Sequence, residues 1–153
     1  MDIKYIDPFI QSFSEVMPQL GFCNIQKGDL REKGQELTCS GVVIVVGMVG
    51  AIKGNVVYRI GFDTAKTIAS TMMMGAPVDE LDEMSQSALA ELCNMLTASA
   101  ATYFYNAGIN IEISTPTLFH GPNISVSMSS RSVLCVQLNA DDNSVEINIA
   151  FEE

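Results

Sequence analysis

The sequence predicts a single α+β domain over residues 1–153, in which two long helices and a shorter one pack on a mostly antiparallel sheet. Helix-like segments are separate from runs of strand-like segments and do not alternate with them. The stretches INIEIST and SVEINIAF alternate apolar and polar residues, which suits an antiparallel sheet with one covered face. The chain has 153 residues and is 48% hydrophobic, which is enough for one buried core.

The first predicted helix covers residues 3–20. Asp7 is a suitable N-cap, Pro8 suits the first helical position, and Pro18 is placed to fray the end. Apolar residues recur through this segment at helical spacing and predict one core-facing stripe. Residues 24–35 are polar and predict a connection with room for a short strand.

From Glu36 the pattern changes to Val- and Ile-rich stretches, which predict a hairpin of two long strands with its turn at residues 50–54. The glycines here fit bends and bulges, because neither a phosphate-loop nor a dinucleotide-binding pattern is present. A shorter helix is predicted over residues 63–75. Its three methionines at 72–74 are expected to pack in the core, since no Cys or His lies at ligand spacing.

The second long helix is predicted over residues 82–106, which contain no Gly or Pro and begin with acids that suit the helix dipole. The predicted core face holds Leu89, Leu92, Leu96, Ala100 and Tyr103. The opposite face holds Ser87, Glu91, Asn94 and Ala98. An ordinary exposed face carries Lys, Glu and Gln, whereas this one has one acid, one amide and otherwise small residues. Such a face would let another surface approach closely.

The C-terminal third predicts strands over residues 109–114, 124–128, 133–138 and 145–151, with a turn at 141–143. Residues 115–122 are rich in turn formers and predict a loop. His120 is expected to be an exposed or hydrogen-bonded residue of that loop. No Ser or Cys nucleophile lies beside it, which argues against a catalytic triad or a zinc site.

Charge and cysteine usage exclude several classes of function. A net charge of −10 and only eight Lys and Arg residues argue against binding to nucleic acid or to an acidic membrane surface. The longest apolar run, residues 41–52, is too short to span a membrane. The start MDIKYIDPF lacks a signal-peptide layout. The cysteines form no metal or disulfide pattern and predict reduced, mostly buried thiols in a cytoplasmic protein: Cys23, Cys39, Cys93 and Cys135.

Glu91 and Asn94 are the remaining candidates for chemistry. A Glu and an Asn at i and i+3 on a helix surface are most often solvated polar residues. The alternative is that the Glu91 and Asn94 side chains together form a small polar group that contacts another molecule. An Asn amide is neither a nucleophile nor a strong base, but it can hold an attacking water. The Glu could pair with a lysine of the partner, which would then have to supply the phosphoryl group and the metal.

The string SALAELCNM, residues 87–95, resembles the [D/S]-x-x-x-E-x-x-N active-site helix of the CheX-type members of the CheC/CheX/FliY chemotaxis phosphatases. The resemblance is supported by Pro116, by the segment 62–65 that leads to residues 73–75, and by the Gly-rich hairpin. It implies a CheC-like fold in which Glu91 contacts the active-site lysine of a phosphorylated CheY-like response regulator and Asn94 orients the attacking water. Ser87 and Pro116 match further motif positions.

The resemblance also implies that Mg²⁺ is carried by the regulator, with no cofactor on this chain. A single E-x-x-N helix is typical of the CheX-like branch and implies a homodimer with an extended sheet. Cys93 stands where the family often has Gly, and residues 96–98 replace a Thr-Ala-Gly run, which bears on regulator specificity and dimer geometry. Two alternatives to a phosphatase are a module that binds a receiver domain without turnover, and a domain that oligomerises through a sheet edge.

Overall fold

The computed structural model describes residues 3–152, which form one antiparallel sheet with three α-helices on it. A 3₁₀ turn, Ile3–Ile6, leads into the first helix. The helices are α1 (Asp7–Gln19), α2 (Phe62–Met72) and α3 (Glu83–Asn106). The strands are β1 (Ile25–Lys33), β2 (Glu36–Gly50), β3 (Gly54–Ile60), β4 (Ile111–Ile113), β5 (Thr117–Ser127), β6 (Val133–Ala140) and β7 (Asn143–Phe151). The predicted α+β fold class is confirmed; positions 1, 2 and 153 of the predicted domain lie outside the described residues.

Strand β2 organises the sheet, whose order is β1-β6-β7-β3-β2-β4 with β5 also beside β2. One edge of β2 pairs with β3, and its other edge pairs first with β5 and then, over its last three residues, with β4. Gly41 has a φ of 112°, and a Cβ there would lie 2.5 Å from the carbonyl oxygen of Ile60. Glycine is therefore required where β2 changes register against β5.

The helices cover one face of the sheet and bury the alternate residues of β2, β3, β6 and β7 that point toward them. On α3 the prediction that Tyr103 belongs to the core is wrong, because Phe104 takes that place at 1% exposure. The Phe104 ring packs edge-on against Phe9 and Phe151. Tyr103 is half-buried and donates its hydroxyl hydrogen bond to Glu15 of α1, which keeps its polar end accessible.

Two predicted irregular segments are strands. Residues 25–33 form a nine-residue edge strand with no buried residue, which explains why its sequence looks like a polar connection. The predicted loop at 115–122 is largely the first half of β5, so His120 lies in a strand opposite Val42, although it is exposed as expected. The ladder shifts register between Gly121 and Ile124, which lets Pro122 stay within the strand.

The helix ends also differ in detail from the predictions. Helix α1 begins at Asp7 with Ile6 at the N-cap, because the preceding 3₁₀ turn leads directly into it. Helix α2 ends at Met72, and the chain then turns outward, so Met74 is 98% exposed and the predicted core packing of that methionine is wrong. Three of the four cysteines are buried and Cys23 is exposed, in line with the prediction. No described helix is both long and apolar enough to cross a membrane.

The face of the sheet away from the helices carries a polar group around Glu146. Its carboxylate accepts hydrogen bonds from Arg31 at 3.2 Å and from the amide of Asn148 at 3.2 Å, and it lies 3.1 Å from the Nζ of Lys33. Burial raises the pKa of Glu146, but the Asn148 hydrogen bond and the charges of Lys33 and Arg59 outweigh it and leave that pKa below its ordinary value.

Candidate active site

The start of α3 is fixed by a side-chain cap. Asp82 is the N-cap residue, and its Oδ1 accepts hydrogen bonds from the backbone N–H and the hydroxyl of Ser85, each at 2.9 Å. These hydrogen bonds stabilise the charged carboxylate and hold the pKa of Asp82 below its usual range. The helix predicted over residues 82–106 is thus confirmed, and its cap sets the rotation at which the next residues face the surface.

Glu91 and Asn94 line an open cleft of about 410 Å³. One wall comes from α3 and the other from the segment that ends β4 and leads into β5. The lining residues are Ser87, Ala90, Glu91, Asn94, Ile113, Ser114, Thr115 and Pro116. All four residues singled out in the sequence therefore lie around one cleft, although they are separated by up to 29 positions in the chain. Their chemical roles remain predictions.

The second wall is held by strand β2. After α3 the chain turns at Gly108, whose φ is 86°, and β4 pairs with the last residues of β2. The N–H of Ser114 then donates to the carbonyl of Gly47 at 2.9 Å, and the N–H of Gly47 donates to the Ser114 hydroxyl at 2.8 Å. This reciprocal pair fixes Thr115 and Pro116 opposite Asn94. Sequence reasoning did not find Ser114 or Gly47, and only the position of Pro116 pointed to this segment.

The buried side of α3 is tied to the core beneath the cleft. The hydroxyl of Tyr58 on β3 lies 2.7 Å from that of Thr97, which donates to the carbonyl of Cys93 at 2.7 Å. Ser12 of α1 donates to the carbonyl of Leu96 at 2.5 Å. These bonds leave the helix little freedom to rotate or slide under Asn94.

Burial sets the protonation of the two titratable groups in this network. It raises the pKa values of Tyr58 and of Cys93, so both stay neutral at physiological pH. Cys93 is next to Asn94 in sequence but is fully buried and points away from the cleft. A neutral, buried thiol is not a nucleophile, so the cysteine has a packing role here.

The polar ends of Glu91 and Asn94 are open to the cleft. Glu91 is exposed and Asn94 is half-buried, and neither side chain makes a hydrogen bond or ion pair with another residue between 3 and 152. A carboxylate in this setting can accept a cation, and an amide can both donate to and accept from a water molecule.

The cleft has hydroxyl groups, but no histidine lines it to activate them. His120 makes its side-chain contact with Gln86, at 3.5 Å between the two Nε2 atoms, and does not line the cleft. The described part of the chain also has no group of three or more His, Cys, Asp or Glu residues that could hold a metal. The arrangement suits a site that acts on a group presented by another molecule.

Comparison with known proteins identifies the family. The family model for chemotaxis phosphatase CheX matches residues 42–139, more than half of the chain. The CheY-P phosphatase CheX of Thermotoga maritima is 33% identical over 85 residues, which cover 56% of this chain. The aligned region spans about half, 55%, of that curated relative.

Solved structures agree with the fold over nearly the whole chain. A complex of CheX with CheY, BeF₃ and Mg²⁺ from Borrelia burgdorferi contains a chain that is 26% identical, with a TM-score of 0.83 and coverage of 99% of this chain and 100% of that one. CheX from Desulfovibrio desulfuricans has a TM-score of 0.86 at 18% identity, covering 98% of this chain and 100% of the other, and supports the fold alone. The protein therefore belongs to the CheX family of chemotaxis phosphatases, as the residues around Glu91 and Asn94 predict.

Proposed function

We propose that this protein hydrolyses the aspartyl phosphate of a phosphorylated CheY-like response regulator in chemotaxis signalling. The observation that carries the proposal is an open cleft in which Glu91 and Asn94, without partners in the described chain, lie with Ser87 and Pro116. The cleft has no activated nucleophile of its own, so the attacking group is water and the phosphoryl group comes from the partner.

Asn94 is the catalytic residue of this proposal. Its amide oxygen accepts a hydrogen bond from a water molecule and aims the water's free electron pair at phosphorus, opposite the P–O bond to the aspartate. As that bond breaks, the electron pair leaves with the aspartate carboxylate, and the products are inorganic phosphate and the free side chain. Phosphoryl transfer has a loose transition state, so positioning the water contributes more than removing its proton.

Glu91 sets the docking position. It lies one helical turn before Asn94, and in this proposal its exposed carboxylate pairs with a lysine beside the regulator's phosphoaspartate. Divalent Mg²⁺ held by the regulator supplies charge neutralisation at the phosphoryl oxygens. The name of the Thermotoga maritima relative and the presence of CheY in the Borrelia burgdorferi complex support this choice of partner.

The test is the decay of phosphorylated receiver domains from the same genome, with and without the protein. We expect the wild type to accelerate decay and Asn94→Ala to lose about 10²-fold or more of that acceleration, as for other groups that position a reactant. Asn106→Ala is the matched control, because Asn106 is an exposed Asn on the same helix outside the cleft.

Binding distinguishes the phosphatase from a docking module. Asn94→Ala should retain affinity for a receiver activated with beryllofluoride and Mg²⁺, whereas Glu91→Ala should weaken both binding and turnover. A complex that forms without faster decay would replace the phosphatase with a non-catalytic receiver-binding module.

The same proposal includes a homodimer that forms through the free edge of β5. An open sheet edge invites pairing unless charges or other devices protect it. Strand β1 carries Lys, Asp, Arg and Glu side chains, whereas the part of β5 before its register shift contains no charged residue and no proline, and exposes Phe119 at 49%. We expect light scattering to show a dimer that Phe119→Lys dissociates and the β1 substitution Gln26→Lys preserves. A monomeric wild type would refute this part.

A further inference from the structure

The cleft is too small to be the whole docking surface. It is lined by eight residues, whereas a specific protein interface of standard size uses roughly 20–30 residues on each side. If a receiver domain docks here, as the proposed function requires, it must also contact surface that continues from the cleft. The exposed face of α3 extends from the cleft in both directions.

Helical geometry places two large side chains on that face. Met84 precedes Glu91 by seven residues, about two turns, and points within about 20° of the same direction. Tyr105 follows Glu91 by fourteen residues, nearly four turns, and points about 40° from it. The stripe runs about 31 Å from end to end at 1.5 Å per residue. Its members are Met84, Ser87, Glu91, Asn94, Ala98 and Tyr105.

The chemistry of this stripe suits a protein contact more than solvation. Met84 is 69% exposed and Tyr105 is 66% exposed. From Leu92 to the end of α3 the helix has no Lys, Arg, Asp or Glu. Tyr105 lies on this uncharged part of the helix, and exposed Met and Tyr side chains are typical of interface anchors. The other large exposed hydrophobic residues of the described chain lie outside α3: Ile3, Val49, Met74 and Phe119.

We propose that the receiver domain docks along the whole stripe, with Met84 and Tyr105 as apolar contacts on either side of Glu91 and Asn94. The inference rests on the proposed function and adds where specificity for one regulator arises. Glu91 and Asn94 meet the part of the receiver that does the chemistry, and the two ends of the stripe meet surface away from it. Regulators whose surfaces do not complement both ends are then poor substrates.

The experiment measures KM and kcat for the phosphorylated receiver, and Kd for the receiver with beryllofluoride and Mg²⁺. We expect Met84→Ala and Tyr105→Ala each to raise KM and Kd about fivefold to tenfold, the cost of removing an interface anchor, with kcat within about twofold. Met74→Ala is the matched control, because Met74 is a more exposed methionine outside α3. It should change neither constant.

The outcomes separate this inference from the proposed function. An active wild type, an inactive Asn94→Ala variant and unchanged KM and Kd in the Met84 and Tyr105 variants would overturn the extended docking surface and leave the phosphatase intact. Raised Kd values in a protein that binds without turnover would support the surface and overturn the hydrolase. A wild type that binds no receiver would overturn both.

Discussion

Replacing Tyr58 with Phe and Thr97 with Val, singly and together, tests the hydrogen bonds that tie helix α3 to the core. The Thr97 hydroxyl donates to the carbonyl of Cys93, so the Tyr58 hydroxyl must be the donor of the 2.7 Å contact between them. Both side chains are 0% exposed, and water cannot replace either partner. The two single substitutions should therefore lower the free energy of unfolding by different amounts.

Tyr58→Phe removes one hydrogen bond and leaves no buried donor unsatisfied, so we expect a loss of about 1 kcal/mol in the free energy of unfolding. Thr97→Val leaves the buried Tyr58 hydroxyl without an acceptor, and we expect a loss of about 2–3 kcal/mol, counting the lost bond and the desolvated donor. In the double variant the shared hydrogen bond is lost only once and no donor is stranded, so its loss should fall below the sum of the single losses by about 2–3 kcal/mol.

Urea denaturation at pH 7 measures these differences as changes in midpoint at constant slope. For a chain of this length, 1 kcal/mol corresponds to a shift in Tm of about 2–4 °C, so thermal melts provide a second measure. Additive losses, or a larger loss for Tyr58→Phe than for Thr97→Val, would refute the assignment of donor and acceptor.

Two further predictions concern the sheet. Gly54→Ala would place a Cβ 2.0 Å from the backbone oxygen of Ala150, so we expect the free energy of unfolding to fall by at least about 2 kcal/mol. In the control Gly34→Ala the added Cβ meets open space, and the free energy of unfolding should change by no more than about 0.5 kcal/mol. Equal melting temperatures for the two variants would contradict this prediction. Because the pKa of Glu146 in the folded state lies below its ordinary 4.5, its carboxylate stabilises the fold above that pH, and this contribution is lost as the pH falls through the folded value. Glu146→Gln should therefore lower the Tm at neutral pH and make the Tm depend less on pH in the acid range. Curves of Tm against pH that run parallel for the wild type and the variant would contradict this prediction.

The sequence was most informative about α3. An uninterrupted stretch without Gly or Pro gave the helix, its periodicity separated most of the core residues from the exposed face, and the motif around Glu91 and Asn94 led to the family. The wrong predictions concerned which residues of α3 face the core and where helices α1 and α2 begin or end. At 100° per residue Phe104 lies between the buried residues Cys93 and Thr97, so the core face is centred nearer to them than predicted, and Phe104 is buried in place of Tyr103.

The second wall of the cleft could not be predicted from local pattern. Ser114 is held by Gly47, which lies 67 residues earlier, and the local sequence around either residue does not indicate that the two are in contact. Strand β5 was missed for a related reason, because Gly121 and Pro122 normally end strands, but here Gly121 pairs with Gly41 and Pro122 lies in the register shift that follows. Strand pairing depends on the partner, so such segments become recognisable only once the sheet is assembled.

The pairing of β2 with β4 and β5 also has a kinetic consequence. Residues of β2 meet partners some 60 to 90 positions later in the chain, and contacts of such long sequence separation slow folding because loop closure must precede them. Helix α3 can form early from local contacts, but the Ser114–Pro116 wall is fixed only when β4 docks on β2. The cleft should therefore be completed late in folding, and its amides near Ser114 should gain protection from hydrogen exchange after those of the helix.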